Sequence, residues 1–305
     1  MKTGDIQDLR KGSSSLNRDH LYRTDFIKKA VKTAGNVAVE LLFPQKCPVC
    51  GDAIPIENRL YKPELSSGLL EGGPLMAAYD ALICRDCRKE LALIRDPVCE
   101  KCGKQLYAGE EERLCHDCRE KIRSFLSCRC MLIYDELTRD IISAVKYNSK
   151  REYIDLLSLM AAERYGGWIK GLGVRFIIPV PVHPSRLKKR GYNQAELMAL
   201  GIGRLLNIPV ENKAVIRTKQ TLPQKELDRD SRLKNLQNAF QTVPDTIKRI
   251  RSSFGDAVSV LVVDDIYTTG ATLDLVSLSL ISSGITKVYG LCMCGRHIIL
   301  RFPLK

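Results

Sequence analysis

The stretch "VLVVDDIYTTGATL", residues 260–273, decides how the C-terminal half of the chain is read. A run of β-branched apolar residues ends in two adjacent carboxylates, Asp264 and Asp265. Thr268, Thr269, Gly270, Ala271 and Thr272 follow at once, small and hydroxyl-bearing residues of the kind that wrap a phosphate. The pattern predicts a strand over 258–264 that delivers both acids to a sheet edge. A turn then opens a helix over 271–283, with Gly284 just past its end. Backbone amides of 268–272 would point out of that helix start and form an anion site, with Gly270 letting the backbone come close. Two carboxylates beside a bare phosphate would repel it by about 4 kcal/mol per charge pair at about 4 Å and an effective dielectric of about 20. The arrangement makes sense for a ligand that carries a sugar diol or a bound Mg²⁺ beside its phosphate.

Outward from this stretch, apolar runs alternate with helical patterns. Strands are expected at 129–134, 174–182 ("VRFIIPVPV"), 214–218 ("AVIRT") and 286–292. Helices are expected at 137–147, 151–165, 193–206 and around 231–238. Continuous rather than alternating apolar strands indicate a parallel sheet covered on both faces, an α/β fold that binds ligands at the carboxyl ends of its strands. A second strand end leads into "PVPVHPSRLKKRGYNQAE" (179–196), where Arg186, Lys188, Lys189 and Arg190 gather in a basic loop. Beside a phosphate cradle they are candidates for a pyrophosphate clamp, arginine giving forked contacts. His183 stands on the same rim, flanked by prolines, and is read as structural.

The other half of the chain is written in cysteine. Of 12 cysteines, eight form four CxxC pairs: Cys47/Cys50, Cys84/Cys87, Cys99/Cys102 and Cys115/Cys118. "CPVCG" (47–51) is echoed by "CEKCG" (99–103), and "CRDCRKEL" (84–91) by "CHDCREKI" (115–122), one unit written twice. Two pairs supply the four thiolates of a closed, structural zinc site. The echo argues for Cys47, Cys50, Cys84 and Cys87 on one zinc and Cys99, Cys102, Cys115 and Cys118 on another. A rival pairing joins Cys84, Cys87, Cys99 and Cys102, which are closer in sequence. His116 lies inside the last pair, where four thiolates already fill a site, and is read as a surface residue. Cys128, Cys130, Cys292 and Cys294 sit in apolar, strand-like stretches and are read as buried small hydrophobes.

Residues 1–24 read as a flexible tail, 25–46 as an amphipathic helix, 47–122 as a double zinc ribbon with a weakly patterned insert at 51–83, and 123–300 as the α/β domain. No apolar run approaches a membrane span and the first 25 residues lack a signal-peptide core, so a cytoplasmic protein is expected. The net charge of +13 fits an anionic partner.

The 260–273 stretch resembles the 5-phosphoribosyl-1-pyrophosphate (PRPP) motif of type I phosphoribosyltransferases: a hydrophobic run, two acids and TTGxT. That resemblance implies that Asp264 and Asp265, the catalytic candidates, hold ribose hydroxyls while Thr268 to Thr272 wrap the 5-phosphate, with Mg²⁺ on the pyrophosphate. The whole order resembles the ComF family, bacterial proteins with a double zinc ribbon ahead of a phosphoribosyltransferase domain. "LLFPQKCPVCG", the paired CxxC repeats, "IISAVKYNSK", "RGYNQAE", "RTKQTLPQKELDRDSRLKNLQNAF" and "VLVVDDIYTTGATL" carry it. It implies a role in natural competence, with single-stranded DNA and competence proteins as partners. It also implies a mobile loop at "TKQTLPQKELDRD" that brings Lys219, Gln220, Gln224 and Arg232 to the ligand. No cysteine precedes Cys47, so glutamine-dependent chemistry with an N-terminal cysteine is not expected. Two activities follow as alternatives: a phosphoribosyltransferase of unidentified acceptor, or a DNA-binding adaptor that senses the ligand without turnover. For DNA, the basic stretches 186–190 and 248–251 would meet phosphates and an exposed Tyr192 would stack on bases.

Overall fold

The computed structural model describes residues 46–54, 82–106, 113–147, 152–218, 239–254 and 257–296. The expected tail, the expected N-terminal helix except Lys46, the helix near 231–238 and the candidates Lys219, Gln220, Gln224 and Arg232 lie outside them.

Four strands form one parallel sheet in the order β1-β6-β5-β2: β1 (Cys128–Ile133), β2 (Phe176–Pro179), β5 (Ser259–Tyr267) and β6 (Lys287–Gly295). Two short strands, β3 (Val215–Arg217) and β4 (Phe240–Thr242), pair antiparallel beside it. The residues of β5 show why its apolar run is unbroken. Leu261 and Val263 enter a core with helices α4 (Glu152–Gly171) and α6 (Gln194–Leu206) on one face. Val260 and Val262 enter a second core on the other face, with α7 (Pro244–Phe254) and α8 (Ala271–Ser282). Both faces are covered, as the continuous strands predict.

Local signals fix the connecting helices. Asp135 caps α3 (Glu136–Tyr147): its Oδ1 accepts from the Thr138 amide at 2.9 Å, and Thr138 Oγ1 accepts from the Asp135 amide at 2.9 Å. Buried Thr138, Ile141, Ile142 and Val145 then hold one face of α3 inward. Asn193 caps α6, accepting from the Ala195 amide at 3.1 Å and donating to the Val180 carbonyl at 3.0 Å.

The zinc-ribbon repeat is visible in the backbone. Each CxxCG knuckle is a small hairpin, with Lys46 opposite Ala53 in the first and Val98 opposite Gln105 in the second. Gly51 (φ 83°) and Gly103 (φ 70°) make the two turns. Each CxDC pair opens a short helix, α1 (Arg85–Glu90) and α2 (His116–Glu120). Between the repeats, residues 92–94 run antiparallel along β1: the Ile94 amide donates to Met131 and the Ile133 amide to Ala92, at 2.9 and 2.7 Å. The outer edge of the sheet is thereby covered.

Several expectations are corrected. Strand β5 runs past both acids to Tyr267, because Asp264, Ile266 and Tyr267 keep register with Cys292, Cys294 and Gly295 of β6. Strand β2 is shorter than expected, ending at Pro179. The basic loop is a helix, α5 (Pro184–Arg190), started by Pro184 and stopped by left-handed Gly191. Strand β4 and helix α7 were not expected at all. Tyr192 is buried, 8% exposed, with its hydroxyl donating to the Val145 carbonyl, so it offers no ring for stacking.

Candidate functional site

The end of β5 builds the site. Asp264 and Asp265 are half-buried there, and the Asp264 carboxylate accepts from the Asp265 amide at 2.9 Å. After Tyr267 the chain turns through Gly270, left-handed at φ 78° and the N-cap of α8. Thr269 is exposed and its hydroxyl accepts from the Ala271 amide at 3.4 Å, while Thr268 and Thr272 are half-buried. A helix of 12 residues therefore starts beside the two acids, with its positive dipole end at the 268–272 loop.

Two cations missed by sequence reading stand at the acids. Lys146, at the last turn of α3, pairs with Asp265 at 2.6 Å, each side chain 18% exposed. Arg217, at the end of β3, acts on Asp264 through its charge and is itself held below the usual guanidinium value by burial and then by Arg186. Arg186 is thus the member of the basic stretch brought into this electrostatic group. Lys188 and Lys189 are exposed on α5, and the Arg190 guanidinium donates to the Gln194 side-chain Oε1 at 3.3 Å. His183 caps α5 by accepting from the Ser185 amide at 3.2 Å, the structural role expected of it. Burial, followed by the neighbouring charge of Asp265, pushes the Asp264 carboxyl up to about 8. Ionising Asp264 beside Asp265 is therefore costly, a cost that a divalent cation or hydroxyl donors would relieve.

The cysteine tetrads are separate from this site. Cys47, Cys50, Cys84 and Cys87 form one tetrad and Cys99, Cys102, Cys115 and Cys118 another, with ligand sulfurs within 4.8 Å of one another in each. The repeat-based pairing holds and the rival pairing falls. Sulfur separations of 3.7 Å (Cys50 to Cys84) and 3.6 Å (Cys102 to Cys115) approach the about 3.8 Å edge of a tetrahedron with about 2.3 Å Zn–S bonds. Crowded thiols contest their protons: hydrogen bonds from Cys102, Cys115 and Cys118 hold Cys99 far down, and Cys115 and Cys118 drive Cys102 far up. A divalent cation resolves that conflict, so the donor set fits zinc. His116 is exposed, and Cys128, Cys130, Cys292 and Cys294 are buried, as expected.

Comparison with known proteins agrees with both halves. The double zinc ribbon domain family matches residues 74–119. Competence protein F of Haemophilus influenzae is 30% identical over 210 residues, 68% of this chain and 87% of that protein. The chain belongs to the ComF family. Other relatives of this ComF protein are the DNA utilization protein YhgH of Escherichia coli K12, 27% identical over 229 residues (70% of this chain, 96% of that one), and competence protein ComFC of Bacillus subtilis, 24% over 211 residues (67% and 80%). Among the described residues, no helix of the ComF chain is long and apolar enough to cross a membrane.

Proposed function

We propose that this ComF protein binds PRPP with Mg²⁺ through the 264–272 constellation and acts in DNA uptake by handling single-stranded DNA. The observation that carries the ligand reading is geometric: two adjacent half-buried acids, Asp265 paired with Lys146, at the end of a strand whose next turn opens a helix at Ala271. Asp264 and Asp265 would take the ribose hydroxyls, and the amides and hydroxyls of 268–272 the 5-phosphate. Arg186 and Arg217, which share the electrostatic surroundings of Asp264, would supply charge to the pyrophosphate, with Lys188, Lys189 and Arg190 of the same basic stretch adding to it. Mg²⁺ would neutralise the departing pyrophosphate. A phosphoribosyltransferase built this way works by positioning and charge, with an acceptor nucleophile replacing pyrophosphate at the ribose carbon.

Calorimetry tests the reading. Wild type should bind PRPP in the presence of Mg²⁺, and Asp264→Ala/Asp265→Ala should abolish binding while its circular dichroism is retained. Absence of binding by folded wild type, or binding by the double variant, overturns it. The pH profile is a second check. A folded-state value near 8 against about 4 in the unfolded chain means that the native state holds a proton the unfolded chain has lost, so stability without ligand falls as pH rises from about 4 to about 8. Ligand that needs the ionised pair should bind up to about tenfold tighter per unit between about pH 6 and 8, then level off. Arg217→Met should raise that midpoint, because its charge now favours the ionised acid.

The adaptor reading draws on a second basic surface. Lys248 and Arg251 of α7 line a cavity of about 450 Å³ with Thr242, Ser252 and Ser283, away from the acids. Arg249 is engaged by Glu211 at 2.8 Å. Neutralising Lys248, Arg249 and Arg251 should weaken single-stranded DNA and leave PRPP binding alone. Neutralising Lys188, Lys189 and Arg190 should weaken both. A log–log salt slope of about −0.7 per phosphate neutralised is expected, and a flat slope removes the nucleic-acid partner.

A further inference from the structure

The wall behind the 268–272 loop is the second zinc ribbon. Tyr267, the last residue of β5, is 2% exposed, and its hydroxyl lies against Gly270, where a Cβ would sit only 2.2 Å from it. Among the described residues that hydroxyl has no hydrogen-bond partner. Its ring meets Phe125 edge-on at 6.4 Å, and the Lys104 ammonium of the second knuckle stands 5.9 Å from its centroid. One turn into α8, Asp274 accepts from the Ser124 amide at 2.6 Å and pairs with Arg123 at 3.3 Å. The Arg123 side chain is 4% exposed and also faces the Cys118 thiol, a ligand of the second tetrad. Three residues thus run from a metal ligand to both sides of the loop: Arg123, Asp274 and Tyr267. Among the described residues the first tetrad shows no such route, for Cys47 and Cys87 pack in the opposite core against α4.

We propose that the second metal site and the loop are one thermodynamic unit, in which Arg123, Asp274 and Tyr267 are positioning residues that transmit metal occupancy to the loop geometry. The inference rests on the reading of 268–272 as the phosphate site. Because coupling is reciprocal, a ligand in the loop must hold the second zinc more firmly, and by the same factor that this zinc tightens the ligand. A buried, charge-paired chain of side chains carries such coupling when it can switch between two discrete arrangements, here metal-loaded and metal-free. The unpartnered Tyr267 hydroxyl is consistent with a loop that repacks when an anion arrives.

The test uses the full chain with both zincs and follows their release to 4-(2-pyridylazo)resorcinol, with and without Mg²⁺ and PRPP. A Cys50→Ser protein, lacking a ligand of the first tetrad, assigns the two release phases. PRPP should slow release from the second tetrad about tenfold and leave the first unchanged, a coupling in the ordinary range. Arg123→Met and Asp274→Asn should each cut that protection below about threefold while wild-type zinc content is kept, and Arg123→Lys should recover part of it. Asp274→Asn retains the acceptor for Ser124, so it tests the charge bridge even where Arg123→Met fails to fold. PRPP that binds by calorimetry yet protects both zincs equally, or neither, overturns the coupling. If wild type does not bind PRPP, the functional reading fails instead. Hydrogen exchange then decides: faster exchange of the 268–274 amides when only the second zinc is stripped supports the coupling, and unchanged exchange sinks it.

Discussion

The two zinc ribbons repeat one sequence pattern and sit on opposite faces of the same sheet. In the first, Cys50 is exposed and Cys84 half-buried. Its knuckle meets the α/β layer mainly at α4, where the Tyr153 hydroxyl donates to the Pro48 carbonyl. In the second, all four ligands are buried, packed with Phe125, Cys128 and Tyr267. Even the knuckle glycines differ. A Cβ on Gly51 would meet nothing within 4 Å, whereas one on Gly103 would lie 2.6 Å from the Cys128 carbonyl oxygen of β1. The metal chemistry is the same in both; what each metal supports depends on what its ribbon is packed against.

The largest expected effect tests that difference directly. Cys102→Ser should lose the second zinc and with it the wall under β1 and the 268–272 loop, because unpaired thiolates would be left buried. Cys50→Ser should lose the first zinc at its one exposed ligand, where water reaches the half-buried Cys84 and the opened site, although Cys47 and Cys87 stay buried. Both proteins should carry close to one zinc by metal analysis, with the thermal midpoint falling much further for Cys102→Ser. Each kcal/mol of difference should appear as about 2–4 °C in a domain of this size. Equal midpoints would erase the contrast.

The glycines provide a gentler cut, with every cysteine in place. Both turns are left-handed, so alanine should cost roughly 1–2 kcal/mol of backbone strain at either position. At Gly103 the new methyl must also displace β1 backbone, lying 2.6 Å from the Cys128 carbonyl oxygen and 2.8 Å from the Arg129 Cα. Gly103→Ala should therefore lower the denaturant midpoint well beyond Gly51→Ala with no change in zinc content. Matching midpoints would mean that the second knuckle is not seated on the sheet.

What could be read from the sequence follows the range of the interactions involved. Zinc pairing was legible because the CxxCG and CxDCR patterns recur in the same order, and the 264–272 stretch because acids, turn and helix start are contiguous. Lys146 and Arg217 were not, since their partners at β5 are met only after the chain has folded across the sheet. Helix α7 was missed although Pro244 at its start and Ile247, Ile250 and Phe254 at helical spacing signal it; its many charges diluted the periodicity. Tyr192, set among polar residues in "RGYNQ", looked exposed because only the fold brings the Val145 carbonyl to its hydroxyl. The length of β5 depended on β6, whose residues hold register with the acids and beyond.

The smallest expected effect is written in one position of the repeat. Lys104 follows the second knuckle and pairs at 2.6 Å with Asp117 of the second CxDC, its side chain 6% exposed. The matching residues of the first ribbon are Asp52 and Asp86, two acids in place of a pair. Asp86 turns instead to Lys89 at 3.5 Å on the open surface. Asp52→Lys should install the missing pair, and because Asp52 is exposed the gain should be small, under about 1 kcal/mol and reduced by salt. Lys104→Met removes the buried counterpart while keeping its apolar stem under Tyr267. Asp117, with 45% of its side chain exposed, can then take up water, so the loss should stay below the about 3–5 kcal/mol of a fully buried broken pair. Urea midpoints at low and high salt separate the two cases: salt should cancel the Asp52→Lys gain and scarcely alter the Lys104→Met loss. A salt-sensitive Lys104→Met loss would mean that the second ribbon is as open to water as the first.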